Sequence, residues 1–375
     1  MLTILSITLL LNEPPRVPWG GNDFVQYYAG AKLLMEGRNP YDRTVAGALQ
    51  MELGRLEPLE TFAPPWAILP ALPLIVLPFN TAIVVNITLQ AALLALCAVA
   101  WWWMLFPGRP QQGWIALLVL PLWLPTLMML GVGQNTVWPL TGLTGWLWFV
   151  NQRQPRLACV CLVLLIIKPH LGLMPGLFIL GYWLRGRDWR SLLVFVTALL
   201  LVTGFTVALR PTIWYDYVTA MQTGTPAAAF STATWNSAWQ DVGPWVHPAA
   251  YLVWGVLLLA AVVLGGITTA NKIVLRLAVV ATVAMAVVPY GFSFDLVLML
   301  PLFLAGVGYV ISERPYARLV MLGWAGIIGL LVAGKLLEWN EAAYWGVAWL
   351  GLGISCISMR QMDISSPVIS APASS

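Results

Sequence analysis

Residues 81–106 read TAIVVNITLQAALLALCAVAWWWMLF, and this stretch decides the fold class. It holds no charged residue, and its apolar run is continuous rather than alternating, which fits a buried helix and not a half-solvated strand. A helix that crosses a bilayer needs about 20 mostly apolar residues. Further runs follow at 113–131, 135–150, 157–167, 171–184, 191–209, 249–268, 275–289, 294–311, 317–334 and 343–358. Across the 375 residues, 60% are hydrophobic and 9% are charged, against about 25% charge in a soluble domain. That balance excludes a soluble globular protein and a disordered one. A net charge of +4 over this length is no basic footprint for nucleic acid. The 21 tryptophans suit the aromatic belts of a membrane interface. The expectation is an all-α polytopic integral membrane protein with about 11–12 transmembrane helices.

Two segments read differently. Residues 1–11 are apolar but short, a truncated first helix entering from the cytoplasm; with no basic region before them they do not read as a secretory signal. Residues 64–79 carry Pro64, Pro65, Pro70, Pro73 and Pro78. Such a broken helix cannot face lipid, so a protein-buried re-entrant or interfacial element is expected there.

Basic residues orient the set. The short connections and the start of the tail hold Arg109, Arg153, Arg156, Arg185, Arg187, Arg190, Lys272, Arg276, Arg314, Arg318 and Arg360, more than half of the 19 lysines and arginines. Their side should be cytoplasmic. The loops 12–63 and 210–248 then fall outside the cell (inner) membrane, the first of them with short amphipathic helices. Residues 1–362 read as one transmembrane domain and 363–375 as a flexible Ser/Pro tail. Cys97, Cys159, Cys161 and Cys356 lie in apolar runs and match no zinc or redox spacing. With only His170 and His247 present, a multi-histidine metal cage is excluded.

In such a chain the informative residues are polar ones at the outer face. Asp23 opens a helix-like run from Phe24 to Met35, with Gln26, Tyr27 and Tyr28 one turn on. It reads either as an N-cap or as a functional carboxylate beside a polar aromatic face. Gly37, Asn39 and Pro40 stop the run before Tyr41 and Asp42. Gly133-Gln134-Asn135-Thr136 places two amides at a span boundary, suited to capping or to bonding a sugar or phosphate. Lys168-Pro169-His170 interrupts CLVLLIIKPHLGLMPGLFIL (161–180). A charge near the bilayer interior costs about 2.5–3.5 kcal/mol on insertion scales and marks function by default, with a snorkelling lysine as the plainer reading. Its cation suits a lipid-linked phosphate, which His170 would orient or protonate. Asp295, after Pro289-Tyr290-Gly291-Phe292-Ser293-Phe294, begins a span as cap or functional acid. Asn236, Asp241 and His247 in the long outer loop, with Trp235 and Trp239 between aromatic neighbours, suit sugar binding or an aromatic belt equally. No phosphate-binding glycine motif for a nucleotide and no DxD-type acid pair is present.

Asp23 with Tyr27-Tyr28-Ala29, Gly37 with Pro40-Tyr41, Phe62 with Pro64-Pro65, Gly133-Gln134-Asn135 and Lys168-Pro169, in this order between spans, resemble glycosyltransferase family 87. The resemblance runs from about Asn22 to Asp295, with Ala63 where the family usually has Tyr. It implies a GT-C-like helical fold whose active site lies on the extracytoplasmic face. It also implies an inverting transfer of a sugar, usually mannose, from a polyprenyl-phosphate donor to a glycan or glycolipid acceptor. Asp23 would then be the general base. Lys168 and His170 would hold the donor phosphate, with Gln134, Asn135, Tyr27, Tyr28 and Tyr41 at phosphate or sugar. Asn236, Asp241, His247, Tyr290 and Asp295 are candidates for the acceptor side or for support. The phosphate leaves with its lipid, so neither nucleotide nor cofactor is called for; the carboxylates do not cluster in sequence, so no metal ligand is assigned and a divalent ion is left open. The partners expected are the lipid-linked donor, the acceptor and the bilayer, with no nucleic acid. The other class with the same polar groups is a transporter or flippase of lipid-linked sugars; the absence of internal repeats weighs against it.

Overall fold

The computed structural model describes residues 17–223, 246–288, 291–312, 316–337 and 344–359. Residues 1–11, most of the 210–248 loop, the 363–375 tail and the candidates Asn236, Asp241 and Tyr290 lie outside the described residues, as does the side chain of His247. Among the described residues all regular structure is helical.

Residues 17–63 form α1 (Phe24–Met35) and α2 (Arg43–Glu52), the second capped by Asp42, whose side chain accepts from the Thr44 and Val45 amides. The proline-rich stretch becomes α3 (Pro65–Ile68) and a 3-10 turn, Leu69–Leu74, with Pro65, Ala67, Ile68, Ala71 and Leu74 buried. It is short and irregular, with one face buried in protein while Pro73, Val76 and Pro78 are exposed, so the segment is buried only in part. The long α4 (Phe79–Leu105) follows, then α5 (Trp114–Val119), α6 (Leu124–Val132), α7 (Val137–Asn151), α8 (Pro155–Leu162), α9 (Pro169–Gly186), α10 (Trp189–Leu209) and α11 (Ile213–Thr223). The rest of the chain gives α12 (Val246–Gly266), α13 (Ile273–Val287), α14 (Leu300–Ile311), α15 (Ala317–Leu336) and α16 (Trp345–Met359). Prolines punctuate the set: Pro125, Pro155, Pro169 and Pro301 all sit in first turns, where the missing amide hydrogen costs nothing.

Five described segments are each long and apolar enough to cross a membrane: Phe79–Leu105, Trp189–Leu209, Ala270–Val287, Ser293–Ile311 and Ala317–Leu336. A sixth, Pro110–Leu122 with Leu124–Val132, is bent by 64° at Trp123. Several of the remaining apolar runs of the sequence appear as shorter or interrupted helices. The run 157–167, for example, is α8 followed by a 3-10 turn over Val163–Ile167. The molecule is an all-α, multi-pass membrane protein.

Burial separates centre from periphery. In the Ser293–Ile311 segment 83% of the apolar window is buried, and in α10 only 6%, so α10 turns its leucines and valines outward to lipid. The centre is keyed by Trp123, stacked on Phe303 at 5.2 Å and edge-on to Trp324 at 5.7 Å. A second, smaller cluster joins Phe24 and Tyr28 of α1 to Ile68, Phe79, Ile83 and Ile213. Ile87 and Trp138 pack against both clusters, so the segment just before Trp138 lies at their seam. The end of α1 is tied to α11 through Arg210, just ahead of that helix, which pairs with Asp216 at 2.6 Å and donates to the Gly37 carbonyl at 2.6 Å. Tyr217 packs its ring on Tyr41.

Candidate active site

The turn that joins α6 to α7, Gly133–Thr136, is the floor of the site. Gly133 ends α6 in a left-handed conformation (φ +77°), and a Cβ there would lie 2.0 Å from the Gly20 carbonyl oxygen, so no other residue fits. That close approach lets the backbone of the outer loop pair with α6: Gly20 N donates to the Gly131 carbonyl at 2.7 Å and Asp23 N to the Val132 carbonyl at 2.6 Å. Asp23 is thereby fixed against the Gly133–Thr136 turn.

Asp23 stands at the N-cap position of α1, but its carboxylate makes no capping hydrogen bond there. Oδ2 accepts from Gln134 Nε2 at 2.6 Å across 111 residues of sequence, and Gln134 Oε1 accepts from the Tyr27 hydroxyl at 3.0 Å. Asp23 keeps part of its surface open, while Gln134 and Tyr27 are buried. Burial of the carboxyl raises its pKa above the usual carboxylate value; the Gln134 hydrogen bond and the charges of Arg55 and Lys168 pull part of the way back. Arg55 is held over this edge by the carbonyl and the side-chain oxygen of Asn22, at 2.6 and 2.8 Å.

Two residues along the same turn, Thr136 reaches Lys168. The chain breaks its helix at Lys168 (φ −128°, ψ 81°) and doubles back, so that a Cβ on Gly172 would touch the Leu165 carbonyl oxygen at 2.6 Å. Residues seven apart in a continuous helix stand about 10 Å apart. The bend presents the ammonium inward: Nζ donates to Thr136 Oγ1 at 2.8 Å and to Asp295 Oδ1 at 2.7 Å, and lies 5.0 Å from the centre of the Phe294 ring. Thr136 closes the triangle with a 2.5 Å hydrogen bond to Asp295 Oδ1. The Asp295 side chain is 1% exposed and that of Lys168 10%, so the lysine does not snorkel to an interface. Asp295 Oδ2 accepts from Phe292 N at 3.1 Å, so this residue is cap and ion-pair partner together. His170, in the first turn of α9, is partly exposed and close enough to Asp295 and Lys168 to feel both charges.

Gln134 and Thr136 can stand at most about 7 Å apart at Cα. Asp23, Tyr27, Gln134, Lys168, His170 and Asp295 are therefore one constellation, and Asp23 is within electrostatic reach of both members of the ion pair. Other candidates are committed elsewhere. Asn135 donates to the Ala67 carbonyl at 2.9 Å and pins the proline-rich segment against the site. Tyr28 donates to the Leu77 carbonyl at 2.7 Å, its ring packed on Phe24 and Phe79. Tyr41 donates to the Ala63 carbonyl at 2.9 Å. Three participants have no role that sequence reasoning assigns: Thr136, Arg55 and Trp123, whose indole donates to the Leu296 carbonyl and props the turn that bears Asp295. For Thr136 a signal exists, since a hydroxyl two residues after a buried amide shares its site. Among the described residues no three His, Cys, Asp or Glu side chains converge as a metal ion would require.

A cationic amine, a carboxylate with a raised pKa and the Gln134 amide that holds it, around one turn, can take a proton from a hydroxyl and steady a departing anion. Neither a curated protein nor a solved structure matches the chain. A family model, Glycosyltransferase family 87, matches residues 62–289 and so takes in Gln134, Asn135, Lys168 and His170, with Asp23 and Asp295 beyond its two ends. The match spans more than half of the chain, which belongs to glycosyltransferase family 87 and is a membrane glycosyltransferase.

Proposed function

We propose that this enzyme transfers a sugar, mannose by family expectation, from a polyprenyl-phosphate donor to a glycan or glycolipid acceptor, with inversion at the anomeric carbon. The active site would open on the extracytoplasmic side of the cell membrane. The observation that carries this reading is the shared turn: the Asp23 carboxylate is bonded to Gln134 and the Lys168 ammonium to Thr136.

In the step envisaged, the acceptor oxygen bonds to the anomeric carbon as the carbon–oxygen bond to the phosphate breaks. The acceptor proton passes to Asp23, whose raised pKa brings it closer to the working pH of a base. The electron pair of the broken bond stays on the phosphate, where Lys168 meets the charge that develops. Gln134 keeps Asp23 aimed, and Tyr27 keeps Gln134 aimed in turn.

The test uses purified full-length enzyme in nanodiscs with a radiolabelled polyprenyl-phosphate sugar. Asp23→Asn should abolish transfer, by about 10²-fold or more, while donor binding is retained. Lys168→Met should lose turnover as well. Undiminished turnover in Asp23→Asn would remove the base assignment. Movement of the lipid-linked sugar across the bilayer without a new glycosidic bond would replace a transferase by a transporter.

A further inference from the structure

Lys168 is not a free cation waiting for a phosphate. Asp295 Oδ1 holds it at 2.7 Å, and Thr136 bonds to both partners. The pair is nearly shut off from solvent, at 10% and 1% side-chain exposure, and Asp295 is itself anchored by the Phe292 amide and by the indole-propped turn that carries it. Any phosphate that reaches Lys168 must compete with a fixed carboxylate.

The donor and the product compete unequally. A polyprenyl-phosphate sugar is a phosphodiester with a charge of about −1, whereas the polyprenyl phosphate it leaves behind is a monoester that approaches −2. Over the same step Asp23 goes from −1 to neutral as it takes the acceptor proton, so one negative charge moves from the Asp23 side of the turn to the phosphate side. An interaction speeds a reaction only if it is stronger in the transition state than in the ground state. A lysine already matched by a carboxylate meets that condition: a diester gains little by displacing Asp295, and a phosphate whose charge is growing gains much.

Building on the donor assignment above, we propose that Asp295 is a positioning residue that makes Lys168 selective for charge. It holds the ammonium back from the diester, yields it as the leaving phosphate charges up, and reclaims it so that the product can depart. Thr136, bonded to both, is the pivot over which the ammonium is handed across. The bond broken is the one between the sugar carbon and the phosphate oxygen; no proton leaves Lys168, and no other reactant is required.

The experiment measures binding of a short-chain polyprenyl phosphate and of its methyl diester to the full-length enzyme in nanodiscs. Wild type should bind the monoester about tenfold or more tightly than the diester, and Lys168→Met should erase that ratio. Asp295→Asn should tighten the monoester by about tenfold and the diester as well. Its turnover should show a burst followed by slow steady state, because product release becomes limiting. Equal wild-type affinity for the two lipids overturns the proposal, and that arm stands even if Asp295→Asn does not fold. Asp295→Asn with unchanged or weaker monoester binding overturns it too. A wild type that binds neither lipid defeats the donor assignment itself, an outcome distinct from binding both alike.

Discussion

Gln134 is the residue on which the chemistry of Asp23 turns. Its amide hydrogens favour the ionised carboxylate, and they oppose the larger effect of burial, which favours the neutral acid. Replacing Gln134 by Leu removes the opposing contribution, so the pKa of Asp23 should rise further. A base works only when ionised, so activity falls as pH drops through that pKa; the acid limb of kcat/KM should therefore move to higher pH in Gln134→Leu. The plateau at alkaline pH should fall less than activity at acid pH, because at high pH Asp23 is ionised in both proteins. A pH–rate profile of the two enzymes checks this, and an acid limb that stays in place would separate Asp23 from the observed titration. Sequence alone leaves Asp23 between cap and catalyst because both readings put a carboxylate before a helix. The partner its carboxylate takes, Gln134, lies 111 residues away and cannot be read locally. The Lys168–Asp295 pair is hidden in the sequence for the same reason: each residue marks a span boundary, and nothing local says that the two boundaries meet.

At the scale of elements, α9 does two jobs. Its first turn carries His170 next to Lys168, and its body is clamped to α12 through small residues. A Cβ on Gly181 would stand 1.9 Å from the Val262 carbonyl oxygen, and one on Gly265 1.9 Å from that of Phe178. Where apolar helices pack within a bilayer no hydrophobic drive brings them together, so this close backbone approach and its dispersion contacts would hold the pair. Gly181→Leu should force α9 and α12 apart, lower the unfolding temperature in detergent and reduce turnover through the displaced Lys168 bend. Gly204→Ala, on the lipid-facing α10 with nothing within 4 Å of its Cβ, should change neither by more than about 0.5 kcal/mol. A thermal melt of the two variants distinguishes clamp from bystander. Continuous apolar runs make these helices legible in the amino-acid sequence itself, and the prolines between 64 and 79 signal a broken segment, buried on one face only. The 64° bend at Trp123 is marked there by Pro121 and Pro125 on either side of it, although the run 113–131 is apolar throughout. What the sequence does not carry is how the bend is seated: the Trp123 ring packs on Phe303 and Trp324, and its indole donates to the Leu296 carbonyl.

For the whole molecule the question is direction. Helix α9 joins two ends of different character: the Lys168 site precedes its first turn, and Arg185 and Arg187 close its last. Eighteen residues at about 1.5 Å each make it about 27 Å long, close to the hydrocarbon thickness of a bilayer. The site and the arginine-rich connections are thus separated by roughly the thickness of a membrane, and an excess of Lys and Arg on one side is the mark of a cytoplasmic face. On that rule the outer loop that carries Asp23 should face away from the cytoplasm. A cysteine-free background with Cys97, Cys159, Cys161 and Cys356 replaced allows a direct reading of this arrangement. Glu52→Cys, exposed at the end of α2, should react with a membrane-impermeant maleimide in intact cells, whereas Gln152→Cys, exposed after α7, should react only once the membrane is opened. Labelling of both from the same side would break the alternation of spans on which the outward-facing site depends. Labelling in the reverse order would turn the site toward the cytoplasm, where the donor would have to present its sugar on the inner leaflet.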